Sequence, residues 1–114
     1  VNLAEALALT KSGKTVVVVH ETRIAGVQLL ERMPDGVLDG AARINRTNGD
    51  QFVRFDGGGL LRFLNVHQVR TGYARGISAD VVLVDAAVPL DGRLVLELGP
   101  VIGPDGAFAV GPLS

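Results

Sequence analysis

Hydrophobic positions along this chain change period several times, and each change marks a new element. Leu3, Ala6 and Leu7 recur at helical spacing; Asn2 stands where a cap belongs, Glu5 follows three residues on, and Gly13 supplies a stop. Four consecutive valines, residues 16–19, then favour an extended chain. Helical spacing returns with Ile24, Val27, Leu30 and Met33, behind Thr22 as a cap and ahead of Pro34-Asp35-Gly36 as a terminator.

From about residue 42 to residue 65 the pattern shortens into an antiparallel meander. Two segments flank Asn48-Gly49, the dipeptide best suited to a type I′ hairpin, and Asp56 with Gly57, Gly58 and Gly59 turns the chain again into residues 60–64. Residues 67–78 show no clean period and predict a loop with room for a helical turn. "ADVVLVDAA", residues 79–87, predicts a buried strand with an acid at its carboxyl end. In the tail, Asp91-Gly92 and Pro104-Asp105-Gly106 are turn signals between two or three short strands.

These elements predict an α/β (or α+β) domain around a mixed sheet: two buried strands (about 15–20 and 80–85), two N-terminal helices, the meander and a β-rich C-terminal tail. With 114 residues and no linker-like stretch, residues 1–114 are expected to form a single domain.

Composition narrows the class. Hydrophobic residues make up 47% of the chain and charged residues 20%, which is a globular balance. Eleven basic side chains against twelve acidic ones leave a net charge of -1, so no overall field draws the chain to nucleic acid or to an anionic membrane. A local basic face remains open: Arg43, Arg54 and Arg62 all fall in the meander, where solvated sheet surface is the ordinary use. There is no cysteine, hence no disulfide framework and no thiolate nucleophile. No apolar run approaches the ~18 residues of a membrane span. The expected location is the cytoplasm of a host cell or a virion, with no membrane partner.

Two stretches bear on nucleotide chemistry. "ALTKSGKT", residues 8–15, fits the loosest form of a phosphate-binding loop. That loop needs a strand running in and a helix running out, so that helix-start amides converge on the phosphates. Here the predicted order is helix, turn, strand, and Ala8 replaces the first glycine. The expected role is a helix-to-strand connector with Lys14 in solvent. "VVLVD", residues 81–85, has the form of the strand whose terminal acid holds magnesium through water in P-loop ATPases. The hydrolysing members follow that acid with a glutamate that acts on the attacking water. The residue here is Ala86, whose methyl group can neither accept a proton nor orient water.

Other candidates are thinner. His20 and His67 lack a ligand spacing, and Ser78 in "GISAD" lacks the nucleophile-elbow pattern. Glu21 and Asp85 both end predicted strands and would border one ligand crevice if those strands are parallel. Arg75 would then be placed to neutralise a phosphate, with a surface salt bridge as its ordinary use.

Taken together, Asn48-Gly49, residues 57–59, residues 60–64, Arg75-Gly76, Ser78, Asp80 and residues 81–85 resemble, in order, the middle of the ATPase domain of phage terminase large subunits, the motors that package DNA. "TVVVVHETRIAGVQLLERM" is similar to the preceding strand and helix of that family, so the resemblance spans about residues 14–87. It implies a degenerate, partial ATPase core in which Asp85, with Arg75 nearby, is the cofactor-binding position and Asp85 the metal position if magnesium is bound. The family's phosphate-binding loop and its nuclease domain are not recognised in these 114 residues, and its catalytic glutamate is Ala86.

The resulting expectation is a non-hydrolysing binding or assembly protein, phage or prophage derived, with no cofactor and with itself or a phage assembly protein as partner. The alternatives are an enzyme that binds Mg-ATP through Asp85, with Lys14, Arg75 or a partner chain supplying charge, and a virion structural protein.

Overall fold

The computed structural model describes residues 3–21, 39–45, 51–74 and 76–111. The helix expected after Thr22, the Asn48-Gly49 turn and Arg75 lie outside the described residues. The elements in order are α1 (Leu3–Lys11), β1 (Thr15–His20), β2 (Ala41–Asn45), β3 (Phe52–Phe55), β4 (Leu60–Asn65), α2 (Val66–Arg70), β5 (Ala79–Asp85), α3 (Gly92–Leu98), a 3-10 turn (Gly99–Val101) and β6 (Ile102–Gly111).

The described strands form one mixed sheet in the order β2-β3-β4-β1-β5-β6. β2, β3 and β4 are the antiparallel meander, and β4 also runs parallel to β1. β1 pairs parallel with β5, and β5 with β6. β1 is therefore central: Val16, Val17, Val18 and Val19 are all fully buried, because both faces of the strand are covered.

Alternation along the strands sorts the core into two layers. Val16, Val18, Leu61, Phe63, Val81 and Leu83 pack on the face that also takes Ala6 and Leu7 of α1. Val17, Val19, Leu64, Val82 and Val84 pack on the other face, with Val69 of α2 and Leu94 and Leu98 of α3.

The "SGKT" stretch is a helix end. Gly13 has φ of 102°, its N–H donates to the Thr10 carbonyl at 3.0 Å, and the Lys14 N–H donates to the Leu9 carbonyl at 3.2 Å. Those two bonds are the Schellman arrangement, which closes a helix through a left-handed glycine. β1 starts two residues later, with the Thr15 N–H donating to the Asp80 carboxylate at 2.8 Å.

The tail ends in a strand as expected, but residues 92–98 are a helix where the sequence suggested a strand. "LVLEL" carries both periods: alternation favours a strand, while Leu94 and Leu98, four apart, form the buried side of a helix. Asp91 decides between them by capping: its Oδ1 accepts from the Leu94 N–H at 2.9 Å, and its Oδ2 accepts from Arg70 at 2.6 Å.

The Leu94 amide, and after it the Arg70 guanidinium, hold the Asp91 carboxyl below the usual carboxylate range. A depressed folded-state pKa adds stability that is present above the unfolded value and is lost as pH falls through the folded one. Thermal melts from about pH 6 to about pH 2.5 should show a steeper acid-side loss in the parent than in Asp91→Asn, which keeps a capping oxygen and cannot titrate. Parallel curves for the two proteins would contradict this role.

Candidate functional site

The three parallel pairings place the carboxyl ends of β4, β1, β5 and β6 along one edge of the sheet. His20 pairs with Asn65, Val19 with Val84, and Asp85 with Gly111. Asn65, His20, Asp85 and Gly111 therefore stand side by side on adjacent strands, about 4.8 Å apart. Glu21, exposed, follows His20 at the same edge. The sequence made the shared edge of Glu21 and Asp85 conditional on parallel strands, and β1 and β5 are parallel.

Alternation also puts His20, Asn65 and Asp85 on one face, that of Val18, Phe63 and Leu83. His20 is only 1% exposed and lies with its ring centroid 6.4 Å from that of Phe63, at a tilt of 49°. Asn65 is committed to α2. Its Oδ1 accepts from the Gln68 N–H at 2.8 Å while Gln68 Oε1 accepts from the Asn65 N–H at 2.9 Å, a complete capping box. The signal for it, Asn followed three residues later by Gln, was present in the sequence.

Asp85 is half-buried at the mouth of this edge. Its Oδ1 accepts from the Ala87 N–H at 3.2 Å and its carbonyl accepts from the Val88 N–H at 2.9 Å, so the acid folds its own exit turn. The Ala86 N–H donates to the Gly111 carbonyl at 3.0 Å, and its methyl group is exposed.

Magnesium takes one or two carboxylates together with substrate phosphates and several waters. Asp85 offers one carboxylate. Among the described residues no group of three or more His, Asp or Glu side chains is placed to hold a metal. Lys14, offered as a source of compensating charge, sits before the first residue of β1, whereas Asp85 lies level with its last, His20. The two are at opposite edges, roughly 20 Å apart along the strand. That separation removes Lys14 from a site built on Asp85.

The remaining candidates are scattered. His67 is exposed on α2, on the face opposite His20, and Ser78 is exposed just before β5. The three meander arginines do share a face. Arg43 and Arg54 are direct cross-strand partners, and Leu60, opposite Arg54, is two residues from Arg62 on the same side. Arg43 lies 5.6 Å over the Phe52 ring, and Arg62 lies 5.7 Å over the Tyr73 ring while donating to its hydroxyl at 3.3 Å.

The mixed sheet, with Asp85 at the end of β5 and an antiparallel meander at one edge, is terminase-like in fold at the level of a distant structural likeness. The likeness is to the large terminase of a thermophilic bacteriophage, solved in complex with ADP: TM-score 0.56 and 16% identity, over 88% of this chain and 25% of that one. This chain thus spans about a quarter of the length of that protein. No family model and no curated protein matches the sequence. Among the described residues no helix is long and apolar enough to cross a membrane.

Proposed function

We propose that this chain is a non-hydrolysing binding or assembly protein of phage or prophage origin, built on a degenerate terminase-like core. The observation that carries this reading is the exposed methyl group of Ala86 immediately after Asp85, at the carboxyl end of β5. Hydrolysis of a nucleoside triphosphate needs a group there, or close by, that orients the attacking water, and a methyl group makes no such bond. The helix-end geometry of Gly13 and Lys14 agrees with it, since amides committed to closing α1 do not present themselves to a phosphate.

The thermophilic phage terminase was solved with ADP, so retention of a Mg-nucleotide at Asp85 is the rival reading. Equilibrium binding and turnover of Mg-ATP by the parent and by Asp85→Ala decide between them. The expected result is no phosphate release above the protein-free rate and no saturable binding that depends on Asp85. Multiple turnovers by the parent, lost in Asp85→Ala, would overturn the proposal.

A further inference from the structure

The two edges of the sheet differ in kind. β2 exposes Arg43, and its pairing with β3 slips between Ala41 and Arg43; a charge and an irregularity of this sort discourage strand addition. The first half of β6 is irregular too, with a register shift against β5 ahead of Ala107. Residues 106–111, Gly-Ala-Phe-Ala-Val-Gly, have no such protection. They carry no charge, and among the described residues no strand covers their outer side. Phe108 is 41% exposed and Val110 47%, each paired with a buried valine of β5, Val82 and Val84.

We propose that residues 106–111 pair antiparallel with the same strand of a second copy, about a twofold axis at Ala109, so that two sheets join into one. The inference rests on the assembly reading above and names its partner. The choice of a second copy follows from the self-complementarity of the strand. A dyad at Ala109 sets Phe108 against Val110 twice, covering both exposed side chains, and sets Ala107 against Gly111 on the other face. Across such an axis any charge within the strand would lie close to its own copy, and the strand has none. A net charge of -1 per chain adds little repulsion at physiological ionic strength.

The register gives a specific test. Sedimentation equilibrium from ~10 μM to ~1 mM should show a monomer–dimer equilibrium for the parent. Phe108→Lys/Val110→Lys sets lysine against lysine and should weaken association roughly tenfold or more. Phe108→Lys/Val110→Glu sets the introduced lysine against the introduced glutamate of the other copy and should restore it. Circular dichroism checks that each variant is folded. Hydrogen exchange on the parent needs no variant, and should show the outward-facing amides of Phe108 and Val110 becoming protected as concentration rises, since Gly111, and by alternation Ala109 and Ala107, face β5.

A parent that stays monomeric with these amides open would overturn the proposal and leave the edge to an extended segment of a different chain. Equal association of the double-lysine variant, or a folded lysine–glutamate variant that stays monomeric, would overturn it as well. ATP turnover on the same samples separates the two claims: a monomer without turnover sinks only the second copy, and a dimer with turnover sinks only the non-hydrolysing reading.

Discussion

Gly59→Ala is expected to destabilise the protein by about 3–5 kcal/mol, enough to leave a domain of this size marginal. A Cβ at this position would lie 1.7 Å from the Thr10 carbonyl oxygen, 2.8 Å from its carbon and 3.3 Å from the Lys14 carbonyl oxygen. All three are backbone atoms of the corner between α1 and β1, which is pinned by the Schellman bonds and by the Leu60 N–H donating to the Lys14 carbonyl at 3.1 Å. Nothing flexible is available to yield. Gly57→Ala is the control, because its nearest neighbour outside the turn is the Lys11 carbonyl oxygen at 4.0 Å. Chemical unfolding of both should show a large fall in midpoint for the first and little for the second. A Gly59→Ala protein as stable as the parent would mean that α1 does not sit against this turn.

Phe63→Ala is expected to cost about 3–5 kcal/mol, the range for emptying an aromatic site in a packed core. Phe63 is fully buried on β4 and packs in the layer formed by Val18, Val53 and Leu83, with the His20 ring beside it. The loss should exceed that of Phe63→Leu by about 2 kcal/mol, because leucine refills most of the volume. Denaturant midpoints at unchanged slope measure this. A loss below about 1 kcal/mol for the alanine variant would place Phe63 outside the core.

Much of this architecture was legible along the chain because the responsible interactions are local. Four valines in a row exclude a solvated helix face and select a strand covered on both sides. The Gly13 stop and the reversed order around "SGKT" followed from backbone preferences within a few residues. The resemblance of residues 14–87 to phage terminases rested on an order of short motifs, and the mixed sheet with its terminase-like fold agrees with it. Residues 92–98 are ambiguous along the chain because "LVLEL" satisfies two periods at once, and only the capping bonds of Asp91 and the burial of Leu94 and Leu98 choose between them.

The candidate site was legible only in its parts. Asp85 and Ala86 are neighbours in sequence, so an acid followed by a methyl group could be read directly. The row formed by Asn65, His20 and Asp85 could not, since its members are 45 and 20 residues apart and meet only through the pairing of β4, β1 and β5. For the same reason the sequence could offer Lys14 to Asp85, and strand direction alone puts them at opposite edges.

The amino-acid order by itself determined which segments are buried strands, where α1 stops, and that no proton acceptor follows Asp85, because each depends on side-chain chemistry within a few residues. Which strands lie side by side, which ends share an edge, and which edge is left uncovered among the described residues were decided by tertiary structure alone. Backbone hydrogen bonds between strands are the same for every residue type, so the sequence carries little local record of its pairing partners; the choice is made by how the two apolar faces are covered at once.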